Sequence, residues 1–259
     1  MPNELLTALP EEDRQRLSAY LEPIELSLGE VLYEPGQIQT FAYFPTSAVV
    51  SKLYVTETGG TGAIALVGND GLVGFSLFLG GRTAPTRAVV QSAGSAYRIK
   101  GDTLRREFVK IGVLQQLMLR YTEALLIQIG QTVICSRHHT IQQQLCRWLL
   151  MIMDRVASNE LVMTHELIAR MLGVRREGVT EAATRLKRAR VIHYTRGCIE
   201  IINRPRMEAL SCDCYHAVRN EQARLMPWSH VATDRNRGER EAKTPSQVMP
   251  LRQIAAISD

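Results

Sequence analysis

The sequence has 259 residues, of which 45% are hydrophobic, and it carries a net charge of +5. A chain of this length can bury more than one core, so two domains are the simplest expectation. No apolar run reaches the length of a membrane span, and the N-terminal segment lacks the basic and apolar regions of a signal peptide. We therefore expect a soluble, cytoplasmic protein with no membrane partner. The five cysteines are irregularly spaced, which argues against a disulfide framework.

Short elements dominate the first hundred residues. Residues 1–21 predict one or two amphipathic helices with leucines available for docking. Beyond residue 23, short apolar runs alternate with glycines and polar turns, at 31–33, 40–44, 48–55, 63–67 and 87–91. Strands this short and evenly spaced predict a small antiparallel roll, which either holds a ligand or serves only as a packing module.

Residues 102–137 change to helical periodicity and carry two apolar stripes. The second stripe, at seven-residue spacing, is Leu119, Leu126 and Val133. Two apolar faces on one helix need two partners, so we expect one face to pack on the roll and the other on the same helix of a second subunit. A helix buried within a monomer is the alternative. The predicted dimer interface is the first stripe: Leu114, Leu117, Met118, Tyr121, Leu125 and Thr132.

A helix-turn-helix is predicted from Thr164 to Leu186. Thr164 can cap a first amphipathic helix, and Gly173 supplies the permissive backbone that a tight turn needs. A pair of core helices with a merely solvated outer face is the alternative. The outer face of the second helix carries side chains that can reach bases and phosphates in a major groove: Arg175, Arg176, Glu177, Thr180, Glu181 and Arg185.

The segment after this motif favours DNA binding over the alternative. Residues 191–194 and 198–202 alternate like a hairpin closed by 195–197, and a helix-turn-helix followed by a hairpin is a winged helix. Residues 164–206 contain ten Arg or Lys and four Glu, a net charge of +6, whereas the whole chain carries only +5. A basic excess confined to one module is typical of phosphate binding.

The roll, the long helix and the winged helix together resemble the Crp/Fnr family of bacterial transcription regulators over about residues 20–210. In the roll the resemblance rests on GEVLYEPG at 29–36, on Tyr43-Phe44 and on Gly68, Gly71 and Gly74. In the DNA module it rests on LGVRRE at 172–177, on Val179 and on the wing at 194–202.

The resemblance implies an α+β protein with an N-terminal antiparallel β-roll (cupin-like or jelly roll), a long dimerisation helix and a C-terminal winged helix-turn-helix. The corresponding divisions are a sensor roll at 1–110, the dimerisation helix at 111–138 and the DNA-binding domain at 139–210. Residues 211–259 form a C-terminal extension that we predict to be largely disordered, because residues 235–247 are charged and nearly free of large apolar side chains.

The resemblance also implies a homodimer that binds a two-fold-related operator in double-stranded DNA, with RNA polymerase as a further partner if the protein is an activator. Arg176 and Glu177 match the family's base-reading pair by position. The chemistry supports the match, because Arg can donate to two acceptors of guanine and Glu can accept from the cytosine amino group. Glu181 stands where the prototype has a second base-reading Arg. Thr164 and Arg185 are candidate phosphate contacts.

The ligand of the roll is left open by the sequence. Members that bind cyclic AMP place a Glu after the last glycine of the cassette, and an Arg-Ser pair further on. Here Phe75 follows Gly74, and residues 85–88 read Pro-Thr-Arg-Ala, so cyclic AMP is not expected. Another nucleotide, a different small molecule or no ligand at all are the alternatives. The candidate ligand-binding residues are Gly71, Gly74, Arg82, Thr86 and Arg87.

The sequence predicts neither a metal site nor an enzyme. Cys212 and Cys214 are closer together than the usual zinc-ligand spacing, so buried or surface thiols are favoured. The pair His138-His139 is a haem or metal ligand in one interpretation and a hydrogen-bonded helix junction in the other. No nucleophile elbow, Walker-type phosphate loop or His-Glu metal motif is found. The prediction is a dimeric DNA-binding transcription regulator whose roll is either a sensor or a ligand-free scaffold.

Overall fold

The computed structural model describes residues 3–156, 158, 160–195 and 197–228. Two short helices begin the chain, α1 (Glu4–Thr7) and α2 (Glu11–Ser18). Their buried leucines pack into the same core as the first half of the long helix described below. Among the residues that the structure describes, no helix is both long enough and apolar enough to cross a membrane.

Seven strands form the roll as two antiparallel sheets, with orders β1-β7-β3 and β2-β6-β4-β5. A 3₁₀ turn at Phe75–Leu77 lies between β5 and β6. The interior between the sheets is lined by small and branched apolar side chains from both of them. The strands are β1 (Glu22–Leu26), β2 (Val31–Tyr33), β3 (Phe41–Pro45), β4 (Val49–Val55), β5 (Thr61–Val67), β6 (Arg87–Ser92) and β7 (Gly94–Lys100).

The helical region after the roll consists of two helices, α3 (Gly101–Phe108) and α4 (Val113–His138), where the sequence predicts one continuous period. The chain breaks between them at residues 109–112, where Ile111 has a positive φ of 48° that is incompatible with a continuing right-handed helix. A new helix, α5 (Ile141–Met153), begins after Thr140, whose side chain forms a capping box with Gln143.

The DNA module contains α5, β8 (Glu160–Val162), α6 (His165–Leu172), α7 (Arg176–Arg188), β9 (Ile192–Thr195), β10 (Cys198–Ile201) and α8 (Arg204–Leu210). The wing is a three-stranded sheet of order β8-β10-β9, one strand more than the predicted hairpin. The extra strand, β8, precedes the helix-turn-helix and pairs with β10 through Leu161 and Ile199, both fully buried. The predicted α+β architecture is confirmed.

The predicted disorder beyond residue 210 is wrong for the first part of that segment. Residues Asp213–Leu225 form helix α9, which packs along α4 and carries Leu225 and Met226 into the core shared with α1 and α2. The helix forms because these apolar side chains cover α4, a contact that composition does not reveal. The charged segment at 235–247, on which the disorder prediction rests, lies outside the described residues.

A buried ion pair joins three parts of the chain. Asp70, in the loop after β5, accepts hydrogen bonds from Arg155 Nε at 3.1 Å and Nη2 at 2.6 Å. Arg155 follows α5, and Gln222 of α9 donates to the same carboxylate at 2.5 Å. Both charged side chains are buried. The roll, the DNA module and the C-terminal helix therefore meet at one carboxylate.

Candidate functional site

The helix-turn-helix is built as the sequence predicts. Thr164 Oγ1 accepts a hydrogen bond from the backbone N–H of Leu167 and caps α6. Gly173 ends that helix in the left-handed conformation, with φ of 66°, which a residue with a side chain adopts only at a cost in strain. Helix α7 then begins at Arg176, and its inner face buries Val179, Ala182, Ala183 and Leu186.

The outer face of α7 is open to solvent. All six of its predicted DNA-contacting side chains are exposed: Arg175, Arg176, Glu177, Thr180, Glu181 and Arg185. Arg185 Nη2 is paired with Glu181 Oε1 at 2.5 Å. Within the described part of the chain, the side chains of Arg176 and Glu177 are engaged in no ion pair. Arg176 and Glu177, the two candidate base-contacting residues, are thus available to DNA. Arg185 is instead held by Glu181, one turn before it in the helix.

His165, at the start of α6, is an additional polar group on this face that the sequence did not single out. Its Nδ1 lies 3.0 Å from Thr180 Oγ1, and its ring stacks on Tyr194 of the wing at 4.3 Å between centroids. Burial and the nearby positive charge of Arg176 lower the pKa of His165. The ring therefore connects the recognition helix to the wing as a neutral group at neutral pH.

The candidate ligand residues of the roll have different surroundings. Gly71 packs directly beneath Tyr121, because a Cβ added there would lie 2.3 Å from the Tyr121 ring, and the Tyr121 hydroxyl donates to the Leu72 carbonyl. Gly71 is therefore a close-packing position between the roll and α4.

The other candidates differ in burial and in their partners. Arg87 Nε is paired with Glu34 Oε2 at 2.6 Å on the half-exposed edge of the roll. Gly74 has φ of 109° and lies against Ala42, and Arg82 is exposed. Among these candidate ligand residues, only Thr86 has a buried side-chain hydroxyl without a hydrogen-bond partner in the described part of the chain.

Lys52 of β4 is the residue in the roll that sequence reasoning missed. Lys52 pairs with Ala88, and its neighbour Val50 pairs with Val90. Val50, Ala88 and Val90 line the interior, so the alternation of a strand places Lys52 there as well. Lys52 is 1% exposed, and its Nζ lies 3.6 Å from the Phe75 ring with no hydrogen-bond partner among the described residues. Burial lowers its pKa to about 7.

Five of the six residues predicted as the dimer interface on α4 are instead used within the chain, which corrects the assignment for those five. Leu114, Leu117, Met118, Tyr121 and Leu125 are buried in one core together with roll residues and α9. Thr132 Oγ1 accepts a hydrogen bond from Arg147 of α5. The five buried side chains are therefore not available to a second subunit, whereas Thr132 is partly exposed. The second stripe is the exposed one, with Leu119 48%, Leu126 60% and Val133 52% exposed.

Three buried cysteines and a histidine also come together at the end of α4. Cys135, Cys212 and Cys214 form a separate small core, and His139 lies beside it. The sulfurs of Cys135 and Cys212 lie 3.5 Å apart, within hydrogen-bond distance, and this hydrogen bond lowers the pKa of Cys212. The sequence predicted no such cluster, because Cys135 and Cys212 are far apart in the chain and the fold of α9 brings them together.

Comparison with known proteins agrees with this architecture. Residues 143–210 match the family of Crp-like helix-turn-helix domains. FixK2 from Bradyrhizobium japonicum has 17% identity and a TM-score of 0.63, over 74% of this chain and 98% of its own. TTHB099, a CRP-family transcriptional regulator from Thermus thermophilus, has 14% identity and a TM-score of 0.62, over 73% and 96%.

The c-di-GMP responsive global regulator CLP of Xanthomonas campestris has 14% identity and a TM-score of 0.61, over 74% of this chain and 99% of its own. A comparison with curated proteins by sequence gives no match. The fold and the helix-turn-helix together define a DNA-binding transcription regulator. More particularly, the chain has the fold of Crp/Fnr regulators and carries their Crp-like DNA-binding domain, as the sequence resemblance predicts.

Proposed function

We propose that this protein is a homodimeric, cytoplasmic transcription regulator that binds a two-fold-related operator and responds to an anionic small molecule in its roll. Residues 1–110 are the sensor, 111–138 the dimerisation helix and 139–210 the DNA reader. The observation that carries the DNA-binding part is that Arg176 and Glu177 are exposed at the first turn of α7 and form no ion pair with any residue that the structure describes. The N-terminal turn of a recognition helix is the part that contacts base edges.

The arrangement of a dimer follows from the exposed stripe on α4. Leu119, Leu126 and Val133 recur every seven residues, the spacing of a coiled-coil seam. Gly130 lies exposed between the last two, with nothing near the position of an added Cβ, and leaves room for close approach of a second helix. A symmetric pair of α4 helices supports two recognition helices related by a two-fold axis, which an inverted-repeat operator requires.

The chemistry of the sensor follows from Lys52. A buried ammonium without a hydrogen-bond partner is costly, and a bound anion would remove that cost. Phe75 provides a ring face beside the ammonium, where a ribose-binding Glu stands in members that bind cyclic AMP. The interior therefore favours an anionic group, such as a carboxylate or a phosphate, over recognition of a ribose hydroxyl.

Operator selection from random DNA, followed by titration of the dimer with cyclic AMP, cyclic di-GMP and simple dicarboxylates, tests both parts. We expect an inverted repeat with a G·C pair in each half-site, and an operator affinity that changes with one anionic probe but not with cyclic AMP. A selected sequence without two-fold symmetry would contradict the dimeric reader. Selective DNA binding that no probe alters would favour the ligand-free scaffold, in which the roll serves only for packing.

A further inference from the structure

Four metal-ligating side chains converge where α4, α5 and α9 meet. Cys135 lies near the end of α4, His139 lies between α4 and α5, and Cys212 and Cys214 are at the start of α9. One ligand atom from each lies within 4.8 Å of all the others. Three of the four side chains are buried, so this is an enclosed cluster and not a chance set of surface groups.

The distances match a single tetrahedral ion. Zinc lies about 2.3 Å from thiolate sulfur and about 2.0–2.1 Å from imidazole nitrogen, so the edges of a tetrahedron of such ligands are roughly 3.5–3.8 Å long. Cys135 Sγ lies 3.5 Å from Cys212 Sγ, and Cys214 Sγ lies 3.5 Å from His139 Nδ1. Both distances already lie close to such an edge. A cluster of several irons would hold its sulfurs further apart, because the metals lie between them.

The surroundings of His139 are those of a ligand. Its Nδ1 points to the cysteines, while its Nε2 lies 3.3 Å from Asp213 Oδ1. A carboxylate that accepts from the second ring nitrogen fixes the tautomer and leaves the first nitrogen's lone pair for the metal. This carboxylate–histidine pair is the usual outer shell of zinc-bound histidines.

The charge of the neighbourhood also fits. Three thiolates around a divalent ion leave a net charge of −1, which a buried site must balance. Arg147 of α5 is 5% exposed, and its positive charge acts on all three cysteines, so it can balance negative charge at the cluster. The Arg147 Nη2 donates to Thr132, but its Nε has no hydrogen-bond partner among the described residues.

We propose that Cys135, His139, Cys212 and Cys214 bind one Zn²⁺ ion in a closed, structural Cys₃His site. On binding, zinc replaces the three thiol protons, which pass to solvent, and accepts a lone pair from His139 Nδ1. Four protein ligands leave no open position, so the ion holds structure and performs no catalysis. It fastens α9 to the junction between the dimerisation helix and the DNA module.

The test is metal analysis of the full-length protein purified under reducing conditions, followed by cobalt substitution. We expect one zinc per chain, and intense visible bands of tetrahedral thiolate cobalt after exchange. Cys214→Ser and His139→Gln should abolish the stoichiometric metal. Cys198→Ser and His138→Gln, which remove a thiol and an exposed imidazole outside the cluster, should retain it. Circular dichroism shows that each variant is folded.

Asp213→Asn is a milder variant, because that side chain is 90% exposed. It should keep the fold and weaken zinc affinity about 10–100-fold in competition with a chelator. The proposal is overturned if the folded wild-type protein takes up neither zinc nor cobalt. It is equally overturned by iron–sulfur absorption, by a Cys135–Cys212 disulfide found by mass spectrometry in cells, or by control variants that lose the metal as fully as the cluster variants.

Discussion

Arg176 and Arg185 lie on the same helix but are held differently. Arg176 begins α7 with its side chain in no ion pair within the described chain, whereas Arg185 is held by Glu181. The free guanidinium can turn to the two acceptors of a guanine, while the held one is suited to a fixed phosphate contact. The two arginines therefore predict different consequences for specificity.

Arg176→Ala should cost about 1–3 kcal/mol in operator binding and relax the preference at one base pair per half-site. Binding to a library of single-base operator variants at fixed salt measures both effects. Arg185→Ala is the matched comparison, and it should weaken binding evenly on all sequences and reduce the salt slope by about 1. An even loss for Arg176→Ala would identify it as a phosphate contact instead.

Lys52 predicts an unusual dependence of stability on pH. Its pKa in the folded protein, about 7, lies below the 10.5 of a free lysine, so between these values the unfolded chain binds more protons than the folded one. The free energy of unfolding should therefore rise with pH from 7 to 9.5, by roughly 2–3 kcal/mol from this residue. Lys52→Met should remove the rise and stabilise the protein at pH 7, as measured by urea unfolding at each pH. A rise of the same size in the variant would show that other groups cause it.

At the scale of the elements, some features of the helices can be predicted from local sequence and others cannot. The two apolar stripes, the glycine turn at 173 and the buried face of α7 follow from spacing alone. Spacing does not predict which stripe faces the roll. That choice depends on Gly71, which has no side chain and so leaves room for the Tyr121 ring. The same limitation applies to the cysteine cluster and to β8, since both depend on contacts between distant segments.

Leu126→Glu should convert the protein to a monomer with an intact fold, because Leu126 is 60% exposed and central in the exposed stripe. Sedimentation or light scattering at micromolar concentration measures this, and operator affinity should fall with it. Leu79→Glu replaces an equally apolar and half-exposed leucine on the roll, and should leave the dimer unchanged. A dimeric Leu126→Glu variant would place the subunit contact elsewhere.

At the scale of the whole molecule, Asp70 and Arg155 predict strong coupling between the domains. Burial opposes ionisation of Asp70, but the charge of Arg155 and the hydrogen bonds from Arg155, Gly68 and Gln222 outweigh it and lower its pKa. Asp70→Asn leaves the Arg155 charge buried and uncompensated, and should cost about 3–5 kcal/mol in the free energy of unfolding.

The double variant Asp70→Leu with Arg155→Met removes both charges, so it should recover most of that loss. Because the pKa of Asp70 is lowered, the contribution of the pair is present above the unfolded pKa of about 3.9 and is lost as the pH falls through the folded pKa. Urea unfolding at pH 7 and pH 3 should show a smaller pH effect in the double variant. A double variant as unstable as Asp70→Asn would mean that the carboxylate acts through Gly68 and Gln222 and not through Arg155.

The convergence of three segments on Asp70 bears on how this protein could be divided. A fragment that ends at residue 210 would lose Gln222 and would leave bare the apolar surface of α4 that Leu225 and Met226 cover. A fragment that begins at residue 139 would carry Arg155 without its carboxylate. The DNA-binding module is therefore not structurally independent of the rest of the chain. Exchange of such modules between related chains would succeed only where residues 70, 155 and 222 are transferred together.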